Sequence, residues 1–168
     1  MKIILVLFFI FTLYLNAQES IKYTILDRTI QFIYWPENQK RFFSIGVYKN
    51  PIMAQEMKTF YKGKTIRNKP IKVLSVSAAT DSNDLHDLDL IYFPFEVDKS
   101  EFRSFSMLLN NQKVFITSNP DNLYAIPIHI GVFFENQNIR FTINKKLLHR
   151  QKINVSHHLL RLSQDVGD

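Results

Sequence analysis

Cysteine is absent from the 168 residues. That removes disulfides, thiolate metal sites, a cysteine nucleophile and a lipid-modified N-terminal cysteine together. Glycine is almost as scarce. The chain holds four (Gly46, Gly63, Gly131 and Gly167), and no two stand within a phosphate-loop spacing. Neither G-x-G-x-x-G nor G-x-x-x-x-G-K-[ST] can be written anywhere, which excludes the nucleotide enzymes built on those loops. No G-x-S-x-G elbow exists for a serine nucleophile. The five histidines, His86, His129, His149, His157 and His158, form no H-E-x-x-H and no i, i+4 pair on one helix. Adjacent His157 and His158 point in different directions around a helix and read as surface or cap residues. No metal and no cofactor is expected, and the chain reads as a non-enzyme.

Length and composition are those of one globular domain. Hydrophobic residues make up 46% and charged residues 21%, which argues against disorder. Fifteen Phe and seven Tyr supply ample core material. Only one apolar run is long. Ile3–Leu15 follows Lys2 and precedes Asn16-Ala17, the layout of a secretory signal peptide cleaved after Ala17. The run is 13 residues, against about 20 for a membrane span. Residues 1–17 are therefore expected to be a leader and residues 18–168 the exported domain, of a kind that suits a bacterial precursor. The location expected for it is the periplasm.

The net charge is +6, and export changes how that should be read. Outside the cytoplasm nucleic acid is not expected as a partner; anionic lipid, polysaccharide or an acidic protein face takes its place. The Arg140-Phe141 and Lys40-Arg41-Phe42-Phe43 juxtapositions read as alternating strand faces rather than base-stacking sites. Seven acids stand against Lys99 alone from Asp81 to Glu101. Six bases (Arg140, Lys145, Lys146, Arg150, Lys152, Arg161) stand without an acid between Glu135 and Asp165. Two solvated faces explain this blandly. A docking role for the basic half, through Lys145, Lys146 and Arg150, is the sharper reading.

Periodicity predicts alternating helices and strands. Glu19–Tyr34 reads as an amphipathic helix (Ile21, Ile25, Leu26, Ile30, Ile33) stopped by Pro36. Phe42–Tyr48 reads as a buried strand. Asn50-Pro51 opens a helix to about Tyr61 with Ile52, Met53, Met57 and Phe60 inward, and Gly63 ends it. Ile71–Val76, Leu88–Phe93 and Lys113–Thr117 are further strands, with a loop or short helix over Ala78–His86. Asp98 and Glu101 form a capping box for a helix lined by Phe102, Phe105, Leu108 and Leu109. Ser118–Pro127 reads as a turn-rich loop. Ile128–Phe134 and Asn138–Ile143 flank three polar residues and read as an antiparallel hairpin. Asn144 and Ser156 then start two short helices, the last carrying Leu159, Leu160, Leu162 and Val166. The fold expected is α/β: a single three-layer domain, a mostly parallel mixed sheet with helices on both faces, and a C-terminal hairpin.

Several segments resemble the YfiR-like periplasmic proteins. Ile30–Pro36 (IQFIYWP) followed by a strand is similar to that family's N-terminal signature. Gly131–Phe134 (GVFF), Asn138–Asn144 (NIRFTIN) and Ser156–Leu162 (SHHLLRL) resemble its closing pattern. Lys69–Val73 and Leu85–Leu88 resemble its entries to the second and third strands. The resemblance implies a non-catalytic regulator that binds and represses the periplasmic sensor portion of a membrane diguanylate cyclase, tuning cyclic-di-GMP output and biofilm formation. Some relatives accompany sensor kinases instead. Without cysteines, the redox sensing of well-known members does not carry over. The matching positions are Trp35, Pro36, Gly131, Arg140, Phe141, Asn144, Leu159 and Leu160, most of them expected to be structural. A small-ligand sensor using the crevice at the strand C-terminal ends is the alternative, and a homodimer is compatible with either. If the leader reading holds, the exported product should have the intact mass of a chain beginning at Gln18. Full-length chain in the membrane fraction would overturn it.

Overall fold

The computed structural model describes residues 21–35, 39–109, 113–135 and 138–167. The leader, its cleavage site and Pro36 lie outside them. The chain runs through a helix over residues 21–31 (α1), β1 (Ile33–Tyr34), β2 (Phe43–Tyr48), α2 (Pro51–Phe60), β3 (Thr65–Ile66) and β4 (Lys69–Val76). There follow α3 (Ser82–His86), β5 (Leu90–Phe93), α4 (Lys99–Ser106), β6 (Val114–Thr117), α5 (Asn122–Ala125) and β7 (Ile130–Glu135). The end comprises β8 (Asn138–Ile143), α6 (Lys145–Arg150), β9 (Asn154–Val155), α7 (His157–Leu162) and β10 (Ser163–Asp165).

Eight strands form one mixed sheet in the order β10-β8-β7-β6-β5-β2-β4-β3. Strands β4, β2, β5, β6 and β7 are parallel. Numbered among themselves along the chain they stand 2-1-3-4-5, the order of flavodoxin-like sheets. The expected hairpin is present: β7 and β8 pair antiparallel from Ile130↔Ile143 to Glu135↔Asn138. Residues of alternate parity feed two separate cores. Ile45, Val47, Leu90, Tyr92, Val114 and Ile116 pack with α1, α2, α6 and α7. Tyr48, Ile91, Phe93 and Phe115 pack on the other face with Leu85 of α3 and Phe102 and Phe105 of α4. The α/β, three-layer expectation is therefore what the chain adopts.

Local departures have tertiary causes. α1 ends at Gln31, not Tyr34, because Ile33 and Tyr34 pair antiparallel with Val155 and Asn154. The strand expected from Ile71 begins at Lys69 and is preceded by β3, with Arg67 (φ 53°) and Asn68 (φ 62°) making a tight two-residue turn between them. α4 stops at Ser106, leaving Leu108 40% exposed. The Ser118–Pro127 loop contains α5. The last helix ends at Leu162, and Ser163–Asp165 adds to the sheet as β10, parallel to β8. Met57 faces inward as expected, with Met53 and Phe60 half-buried, but Ile52 is 73% exposed and Ala54 takes its place. The capping box is half formed. Asp98 accepts from the Ser100 and Glu101 amides, but the Glu101 carboxylate turns to the Tyr48 hydroxyl and to Lys49 Nζ, 2.9 Å away.

Buried polar side chains tie strand ends together. Asp89 accepts from Lys40 Nζ (3.0 Å) and the Ser44 amide (2.9 Å). Lys113 is 2% exposed, and its Nζ donates to the His86 and Leu88 carbonyls at 3.0 Å each. Burial, helped by the Lys40 charge, pushes its ammonium down to about 8. Asn122 is fully buried, accepting from the Val97 amide and donating to the Phe95 carbonyl and Thr117 Oγ1. Gly131 carries a different constraint, since a Cβ there would run into the Phe133 ring and the Thr142 hydroxyl. Gly131→Ala is accordingly expected to lower stability by about 1–3 kcal/mol in urea denaturation. A wild-type midpoint would mean that the Phe133 ring relocates freely.

Candidate functional site

α6 begins where Asn144 leaves β8. The Asn144 side chain accepts from the Leu147 amide (2.9 Å), the cap its residue type suggested. Leu148 is 3% exposed and anchors the helix in the first core, which turns Lys145, Lys146, His149 and Arg150 to solvent. The two acids that bracket the acid-free interval fold back onto it. Asp165, carried by β10, pairs with Lys145 (3.2 Å), and Glu135 pairs with Arg140 (3.1 Å) across the hairpin. Lys146 and Arg150 have no ion-pair partner among the described residues. The basic face is real, but narrower than the count of bases implied.

Trp35, Phe141, Leu159 and Leu160 pack against the first core. Trp35 is buried, sets its ring edge-on to Phe43 (centroids 5.1 Å apart), and its carbonyl accepts from Arg67 (2.6 Å). Leu159 is buried and Phe141 and Leu160 are half-buried, all against the first core. Ser156 caps α7 by accepting from the Leu159 amide, and its own amide donates to the Phe32 carbonyl (2.8 Å). With the β1–β9 pairing this explains why the N-terminal and C-terminal motifs occur together: each is the other's packing partner.

An exposed cleft lies beside them. A cleft of about 540 Å³ is lined by Tyr124, Phe133, Phe134, Arg140, Phe141 and Leu162, among others. Tyr124 is 84%, Phe134 52% and Leu162 56% exposed. Ile139, opposite Phe134 in the hairpin, is also exposed. Phe134, Ile139 and Leu162 fall in segments expected as strands or a helix, and a short hydrophobic element carries no mark of where its covering layer stops. The end of α7 at Leu162 leaves them open. The crevice between β2 and β5, where the strand order reverses, is differently furnished. There the Tyr48 ring packs on Phe93 and Phe105 (centroids 5.2 and 4.8 Å apart), and α4 reaches across through Glu101. Among the described residues no cluster of three or more His, Asp or Glu side chains could hold a metal ion, and no helix is long and apolar enough to cross a membrane.

Residues 19–164 match the model of a family described as YfiR/HmsC-like. The chain belongs to the YfiR/HmsC-like family. A comparison with curated proteins finds no match. Membership gives the shared motifs their context and suggests a regulatory role in envelope signal transduction. In this YfiR/HmsC-like chain Trp35, Gly131, Asn144 and Leu159 are packed or capping residues, while Arg140 lines the cleft beside Tyr124, Phe134 and Leu162, and Lys146 and Arg150 face outward.

His129 joins the scaffold to α6. It is 1% exposed, and its Nδ1 accepts from the Phe115 amide (3.0 Å) while its carbonyl accepts from the Asn144 amide (2.9 Å). That bond requires an unprotonated Nδ1, so the neutral ring carries its proton on Nε2. Burial pushes the imidazole down to about 4, against a smaller opposing contribution from Gln151. Since the folded value lies below the unfolded one, the unfolded chain binds the extra proton, and stability falls as pH drops from 6.5 toward 4. The loss attributable to His129 is expected to reach about 3 kcal/mol. Urea denaturation across this window should show it in the wild type and not in His129→Asn, which keeps an acceptor without the titration. Parallel curves for both proteins would refute this.

Proposed function

We propose that the chain is a periplasmic, non-catalytic regulator that represses a membrane diguanylate cyclase, or a related membrane sensor, by docking on its periplasmic domain. The family match across residues 19–164 carries this reading, since it spans nearly the whole described fold. Cyclic-di-GMP output and surface attachment would then follow the occupancy of that interface. The described surface supports docking on a protein. Exposed aromatic and aliphatic side chains around a cleft, rimmed by charge, are the composition of a binding hot spot with its polar rim. A small-ligand sensor finds less support, because Tyr48, Lys49 and Glu101 already bond to one another at the crevice such a ligand would use.

The two parts of the surface have different work in this reading. Lys146 and Arg150 would speed encounter with an acidic receptor face, an effect that salt screens. The cleft would set how long the complex lasts. Replacing Lys146 and Arg150 by Ser is expected to slow association with the purified periplasmic domain of the cyclase by about three- to ten-fold at low salt, with dissociation little changed. Tyr124→Ala should leave association alone and speed dissociation about ten-fold. Association and dissociation rates measured at two ionic strengths separate the contributions. Wild-type rates in both variants would remove this surface from recognition.

A further inference from the structure

A second basic surface lies at the other edge of the sheet. Between Glu56 and Asp81 stand six bases and no acid: Lys58, Lys62, Lys64, Arg67, Lys69 and Lys72. That equals the count between Glu135 and Asp165 in a shorter interval. The bases sit at the end of α2 and on the β3–β4 hairpin. Two adjoining clefts, of about 610 and 660 Å³, share Lys58 and Ile71. The first is also lined by Lys40, Arg41, Phe42 and Lys72, the second by Lys62 and Lys64. Neutralisation is partial. Lys40 pairs with Asp89 and Lys72 with Asp84, Asp87 lines the first cleft, and Lys64 lies over the Phe60 ring while facing the charge of Asp27. Lys58 and Lys62 are exposed and have no acid partner among the described residues.

What would cover such a surface is indicated by its neighbours. The first described turn of α1 is held here: the Tyr23 hydroxyl donates to Glu56 (2.6 Å), and its ring lies 5.8 Å from that of Phe60. The described part of α1 therefore packs beside these lysines. Phe42 lines the first cleft, 39% exposed under the Arg41 guanidinium (5.3 Å), and the half-buried Phe60 ring lies under Lys64 (3.2 Å). Lysines interleaved with aromatic rings are the composition of an interfacial lipid contact. We propose that this edge rests on a bilayer of anionic phospholipid, with Lys58 and Lys62 as its principal phosphate contacts. Such a contact would hold an exported protein near the membrane without a spanning segment, and it does not depend on the identity of the protein partner.

Flotation of the exported protein with vesicles tests this. Binding is expected to vesicles of phosphatidylglycerol and phosphatidylcholine at low salt, and should be lost on pure phosphatidylcholine and at high salt. K58S/K62S should lower partitioning roughly 25-fold, at about five-fold per lysine. K58R/K62R should retain it, and K146S/R150S should stay within about two-fold of wild type, with urea midpoints confirming that all variants fold. Three results would each overturn the proposal: wild type that ignores the anionic vesicles, K58S/K62S that binds as wild type does, or an equal loss in K146S/R150S. If K58S/K62S instead impairs association with the cyclase domain while the wild type binds no vesicles, an acidic protein segment is the occupant and the lipid reading fails. The two readings fail separately, because vesicle binding requires no cyclase and the association rates require no lipid.

Discussion

Every central strand must satisfy two cores at once. Along β5, Leu90 and Tyr92 point into the layer under α1 and α2, while Ile91 and Phe93 point into the layer under α4. Strand β6 divides in the same way, with Val114 and Ile116 on one side and Phe115 on the other. A slip of one residue would exchange both sets, so register is enforced from two directions. The buried polar groups reinforce that register at the strand ends. Asp89 fixes where β5 begins relative to β2, and Lys113 fixes the start of β6 against the carbonyls that follow α3. Breaking either would leave a charge or a carbonyl buried without its partner, which costs more than the bond itself contributes.

Coverage of both faces along the centre leaves exposed apolar and basic surface to the edges. Toward the β10 edge Tyr124 of α5, Phe134 of β7 and Leu162 at the end of α7 stay exposed around one cleft. At the β3 edge the hairpin and the end of α2 gather lysines around two clefts. The family motifs lie mostly between these regions and do a different job. Trp35 and Leu159 bury apolar surface, Asn144 and Ser156 cap helices, and Gly131 leaves room for the Phe133 ring. Their placement suits holding a scaffold rather than contacting a partner.

Local sequence was enough for the elements whose partners are nearby or whose pattern is long. The five-strand parallel core, the β7–β8 hairpin, and the caps at Asn50, Asp98, Asn144 and Ser156 were all legible, because turn chemistry and hydrophobic alternation are properties of a few consecutive residues. So were the absences: with four glycines and no cysteine, whole classes of nucleotide and thiolate chemistry had no means of being built. Elements that exist only through a distant partner were not legible. Ile33-Tyr34 is a strand because Asn154-Val155 lies beside it, and Ser163–Asp165 because β8 offers a free edge. The same distance hid the electrostatics. Charge counts along the chain marked Lys145 and Arg140 as free bases, whereas folding sets Asp165 and Glu135 against them and leaves Lys146 and Arg150 open. Composition and local pattern thus determined the α/β class and the helix caps, since hydrophobic periodicity and capping act over one or two turns. Tertiary structure alone decided which charges are neutralised and which apolar groups stay exposed, since both depend on what the chain brings back from far along its length.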